Sequence, residues 1–125
     1  MVPTQKLATV GWLFVIALVS GFGAGSAIKP VQIPFSIVHK LSAVACLVVI
    51  VLRIANLHDV YKAQSSIFIA ISIFAAAILL ACVTGVVHSL PSQAGPLWLN
   101  LHRVAAAAST IACGVGARLV VLSTR

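Results

Sequence analysis

Acidic side chains are almost missing from this chain: Asp59 is the only Asp or Glu in 125 residues. That scarcity counts against proton-coupled transport, which generally needs a membrane-embedded carboxylate. Charge of either sign is scarce, at 7%, where soluble domains carry roughly a quarter. With 62% hydrophobic residues and a mean hydropathy of +1.19, this is no water-soluble domain. The eight Lys and Arg raise the net charge to +7 and the pI to 10.2. They are spread thinly, with no basic run or stripe, and so leave no nucleic-acid footprint. The three cysteines, Cys46, Cys82 and Cys113, all fall inside apolar stretches. An odd number at that depth is no disulfide framework, and without a C-x-x-C-H motif no porphyrin is attached covalently. They read as small packing residues.

Long apolar runs are present instead. Four blocks, about Leu7–Ile28, Phe35–Leu57, Ser65–Ser89 and Trp98–Leu122, each approach the ~20 residues needed to cross a bilayer. The first is too long for the apolar core of a signal peptide, which runs about 7–15 residues, and is kept as a spanning helix. The second and fourth carry Arg53 and Arg118 in their predicted last turns, where the side chains snorkel to headgroups. Lys29–Pro34 and Leu90–Leu97 hold paired prolines and read as short connections, with His58–Gln64 as the polar middle loop. The predicted fold is an all-α, polytopic membrane four-helix bundle, one transmembrane domain over 1–125.

One phrase occurs twice. Ser20-Gly21, then Pro30-Val31-Gln32-Ile33-Pro34, then His39-Lys40 is matched by Thr84-Gly85, Pro91-Ser92-Gln93-Ala94-Gly95-Pro96 and His102-Arg103. The chain is therefore read as two tandem hairpins, about 7–57 and 65–122, related by a pseudo-two-fold axis along the membrane normal. That duplication puts His39 and His102 at the same membrane face, each near the start of the second helix of its unit. Ionisable groups in membrane helices mark functional sites by default. Two equivalent histidines suggest the two axial ligands of one non-covalent haem b. The helix faces below them are small, with Ser42, Ala43 and Cys46 under His39 and Ala105, Ala106 and Ser109 under His102.

Other residues fit auxiliary roles. Gly21 and Gly85 suit positions where something bulky approaches the backbone, with the haem faces as the candidate. Lys40 and Arg103 offer one cation per unit to the two haem propionates. They equally fit headgroup anchoring. His88, whose counterpart is Ala24, is a candidate alternative ligand, propionate partner or proton donor to a quinone. It equally suits the C-terminus of a helix as a favourable cap. His58 has no histidine mate at the opposite face, so one haem is expected rather than two.

These phrases, Ser20-Gly21 with Val38-His39-Lys40 and Thr84-Gly85 with Leu101-His102-Arg103, resemble those of small bacterial membrane-embedded b-type cytochromes. The resemblance spans nearly the whole chain on short, degenerate motifs. It implies haem held by histidines near helix ends, with electrons exchanged with the quinone pool, a redox protein or a small oxidant. Larger members carry two haems on four histidines split between both faces, a pattern this chain lacks. The expected location is a bacterial inner membrane, alone, as a homo-oligomer or within a larger complex. The distribution of Lys and Arg favours both termini on the cytoplasmic side. The competing readings are a small four-helix transporter and a passive anchor subunit. Proton-coupled transporters generally use a membrane-embedded carboxylate, and Asp59 lies in a predicted loop.

Overall fold

A computed structural model describes residues 3–26, 32–61, 65–93 and 95–123. The fold is all-α, with α1 at Pro3–Ser26, α2 at Gln32–Tyr61, α3 at Ser65–Ser89 and α4 at Pro96–Ser123. A short 3₁₀ turn, Pro91–Gln93, precedes α4. Each of the four long helices contains a stretch long and apolar enough to cross a membrane. Large apolar side chains such as Trp12, Phe22, Ile73 and Val104 are exposed along them. Such a surface suits hydrocarbon and not water, and marks the chain as an integral membrane protein.

Three prolines lie where their missing N–H costs least. Pro3 and Pro96 open α1 and α4, and Pro34 lies in the first turn of α2, positions whose N–H groups have no intrahelical acceptor anyway. α3 has the predicted bounds. α2 departs from expectation by running to Tyr61, so His58 and Asp59 belong to the helix and only 62–64 remain between α2 and α3. No Pro or Gly stands between Arg53 and Tyr61 to stop the helix. Arg53 therefore lies about 12 Å before the end of its helix, at 1.5 Å per residue, and not in the last turn. Lys29, Lys62 and Arg125, three of the eight Lys and Arg, fall outside the described residues, as do Pro30, Val31 and Ala94 of the repeated phrases.

Two compact units divide the chain, Met1–Ile50 and Val51–Arg125. In the first, α1 and α2 meet antiparallel. Cys46 Sγ donates to the carbonyl of Val10 (3.6 Å) at one level, and Phe35 lies against Gly23 at another. In the second, α3 packs along α4, with Ala70 beside Gly116 at one end and Ala81 beside His102 toward the other.

The duplication extends into the buried residues. On α1 they include Val10, Phe14 and Ser20; at one constant offset, α3 buries Phe74, Ile78 and Thr84. α2 buries Ser42 and Cys46, and the matching positions of α4 are the buried Ala105 and Ser109. The buried hydroxyls are satisfied within their own helices. Ser20 donates to Ile16 O (2.6 Å), Ser42 to Val38 O (2.7 Å), Thr84 to Leu80 O (2.8 Å) and Ser109 to Ala105 O (2.8 Å). Without water in the hydrocarbon region, such back-bonding is the local way to satisfy a hydroxyl.

Candidate functional site

Each unit contains the same arrangement around its histidine. In the first, Nδ1 of His39 on α2 lies 2.7 Å from the carbonyl oxygen of Ala17 on α1. In the second, Nδ1 of His102 on α4 lies 2.8 Å from the carbonyl oxygen of Ala81 on α3. A carbonyl only accepts, so Nδ1 carries the proton and donates it. In the neutral ring the lone pair is then on Nε2, the nitrogen that coordinates a metal when Nδ1–H is held this way. An interhelical hydrogen bond between membrane helices contributes only about 0.6 kcal/mol on average. That is too little to hold a hairpin together, but enough to select a tautomer and fix a ring plane.

The glycines explain how the rings reach those carbonyls. Gly21 and Gly85 stand four residues after Ala17 and Ala81, directly above the acceptors on the helix face. A Cβ at Gly21 would lie 2.9 Å from both Cε1 and Nδ1 of His39, and one at Gly85 would lie 3.1 and 3.2 Å from the same atoms of His102. The first distance is one that real Cβ atoms essentially never show, and the second is tighter than nine in ten real contacts. The bulky group expected at these glycines is thus, in each hairpin, the imidazole itself, where the sequence reading placed the face of a haem.

The hydroxyl just before each glycine completes the clamp. Ser20 Oγ lies 3.2 Å from Ala17 O, and Thr84 Oγ1 lies 3.2 Å from Ala81 O. The carbonyl that receives the imidazole is therefore shared with a hydroxyl of its own helix. Thr84 Oγ1 also lies 3.5 Å from His102 Nδ1. Ala17 and Ala81 were missed as site residues because they act through main-chain atoms. A signal was there: Ala17-Leu18-Val19-Ser20-Gly21 and Ala81-Cys82-Val83-Thr84-Gly85 share A-x-V-[ST]-G.

Lys40 and Arg103 are exposed. Each is one residue past its histidine and so about 100° around the helix from it. His88 lies in the last turn of α3, one turn beyond Gly85 on the same face. It is half-buried, and its Nδ1 is occluded without a hydrogen-bond partner. A buried polar atom left unpaired costs roughly 1–3 kcal/mol. Among the described residues Nε of Arg53 shares this condition, but a guanidinium has further donors in its fork. An imidazole has only its two nitrogens.

Among the described residues, no three His, Cys, Asp or Glu side chains form a group able to hold a metal ion. A bare ion thus finds no protein-built coordination shell there. A metal that arrives within a macrocycle asks the protein only for axial ligands. No family model, curated protein or solved structure matches the chain.

Proposed function

We propose that this chain is a membrane b-type cytochrome in which one non-covalent haem takes His39 from the first hairpin and His102 from the second as axial ligands. The observation that carries this reading is the duplicated clamp. Twice, a histidine near the start of a spanning helix donates Nδ1–H to a main-chain carbonyl across a glycine. An interfacial histidine with its ring among headgroups has no need of such an arrangement. A pair of iron ligands does, since the outer hydrogen bond fixes tautomer and plane and raises the basicity of Nε2.

In this reading the protein's own residues do four things. His39 and His102 present Nε2. Ala17 and Ala81 hold the Nδ1 protons, Gly21 and Gly85 leave the rings room, and the apolar helices exclude water from the site. The haem, when bound, supplies one-electron chemistry. The electron partner we propose is the quinone pool on one side and a redox protein or small oxidant on the other. We place both termini on the cytoplasmic side from the sequence distribution of Lys and Arg, and the membrane as a bacterial inner one from the resemblance to small bacterial b-type cytochromes.

The test is the visible spectrum of the detergent-purified protein from haem-replete cells. Sharp reduced bands of bis-imidazole, low-spin haem are expected. A colourless protein, or one whose haem is five-coordinate, overturns the reading.

A further inference from the structure

We infer that His88 is the carboxylate-binding residue of the site, donating a hydrogen bond to a propionate of the porphyrin at the outer end of the second hairpin. The inference rests on the haem reading above and adds to it a residue with a defined chemical partner.

Four observations carry it. His88 belongs to the last turn of α3, one turn past Gly85, and Gly85 is where the His102 ring lies. It thus stands on the face of α3 that receives the ligand histidine, displaced toward the end of the helix. Its Nδ1 is occluded and has no partner within the protein, although Thr84 and Ser89 on the same helix have theirs in Leu80 O and Gly85 O. The position has no equivalent in the first hairpin, where Ala24 stands. A symmetric ligand role is therefore closed to it, and an auxiliary one is open.

The chemistry selects the partner. A nitrogen buried at a helix end next to hydrocarbon calls for a hydrogen-bonding group brought by the ligand. Haem carries such groups only at its propionate edge. A bond to an ionised carboxylate is stronger than one to a neutral acceptor, and a histidine at the C-terminal end of a helix is well placed to meet an anion. Arg103 is exposed and about 100° away from His102 around α4. It belongs to the surface, and His88 to the interior edge.

Esterification provides the test. The full chain is freed of haem, then titrated with haem b and with haem b dimethyl ester in a phosphate-free maltoside detergent, which removes lipid phosphate as a competing anion. His88→Ala is expected to weaken haem b binding about 10-fold, the loss of one charge-assisted hydrogen bond. It should weaken binding of the dimethyl ester less than about 2-fold, the range left to ordinary packing changes. His88→Gln, which keeps an N–H donor, should recover most of the haem b affinity while keeping the low-spin spectrum. A His88→Ala penalty of equal size with both porphyrins, or none with either, overturns the inference and leaves the axial assignment standing. Wild-type protein that takes up neither porphyrin overturns the haem reading, and this inference with it.

Discussion

The two hairpins hold their histidines by the same means and differ around them. Ala17, Ser20, Gly21 and His39 in the first correspond one for one to Ala81, Thr84, Gly85 and His102 in the second, with donor–acceptor distances of 2.7 and 2.8 Å. Away from this clamp the halves diverge. Gly23 receives the Phe35 ring in the first hairpin, where the matching pair in the second is Val87 and Trp98. Cys46 reaches across to Val10 O, whereas its counterpart Ser109 bonds within its own helix. Ala24 becomes His88. What both halves retain is the presentation of one imidazole nitrogen. What differs is the outer turn and the packing beneath, where the halves can diverge without disturbing either imidazole–carbonyl contact.

The most drastic way to break this equivalence is to remove the two histidines that we propose as axial ligands. His39→Ala and His102→Ala are each expected to abolish six-coordinate, low-spin haem in the optical spectrum, and His58→Ala to leave it unchanged. If one of the two ligand variants keeps the wild-type spectrum, the halves are not equivalent and the axial pair must be reassigned.

Substitution of the glycines comes next and sharpens the comparison. Gly21→Ala forces a Cβ to 2.9 Å from the ring, and Gly85→Ala to 3.1 Å. Overpacking of this kind costs about 1–3 kcal/mol, so haem affinity should fall roughly 10-fold or more in Gly21→Ala and by less in Gly85→Ala. Haem titration of the two variants gives the ranking, and nitrogen NMR of the imidazoles in the haem-free protein reads the Nδ1–H tautomer directly. Equal affinities in both variants and wild type would show that the rings tolerate a methyl group there.

Smaller shifts are expected from the hydroxyls. Ser20→Ala and Thr84→Val remove the donor that shares each carbonyl, leaving it a better acceptor for Nδ1–H and the imidazole more electron-rich. The midpoint potential should fall by about 20 mV, corresponding to roughly 0.5 kcal/mol for one electron. Thr84→Val should show the smaller fall, because Oγ1 also lies 3.5 Å from His102 Nδ1 and its loss removes a second acceptor for that N–H. A redox titration in which either variant rises in potential would reverse the assigned polarity.

The weakest contrast lies beneath the clamps. Cys46 is completely buried and bonds between helices, so Cys46→Ala should cost about 1 kcal/mol of unfolding free energy in detergent. Ser109→Ala should cost less than about 0.5 kcal/mol, since its lost bond is local and Ala is the better helix former. A larger loss for Ser109→Ala would place the stronger interhelical coupling in the second hairpin.

Much of the fold was legible because membrane helices announce themselves by length and apolar composition, and α3 matches its predicted bounds. The end of α2 was not, since the polarity of His58 and Asp59 suggested a loop although no residue there breaks a helix. At the site, the doubled Ser/Thr-Gly and His pairs marked the helices between which the two imidazole–carbonyl contacts form. They did not reveal what the glycines face, because a missing side chain says that something approaches without saying what. Nor did they name Ala17 and Ala81, whose contribution is a carbonyl that every residue carries. Only the spacing of four residues back from each glycine encodes it.

That the histidine acceptors belong to the main chain has a consequence for how such a protein drifts under mutation. No codon change at position 17 or 81 deletes the acceptor oxygen, so selection acts on the contact through the histidine that donates, the glycine that admits the ring, the hydroxyl that shares the oxygen and the room left at the alanine. Other small residues can therefore replace the alanines while the contact persists. A search for distant kin should weight the gap between glycine and histidine above the identity of the residue that receives the proton.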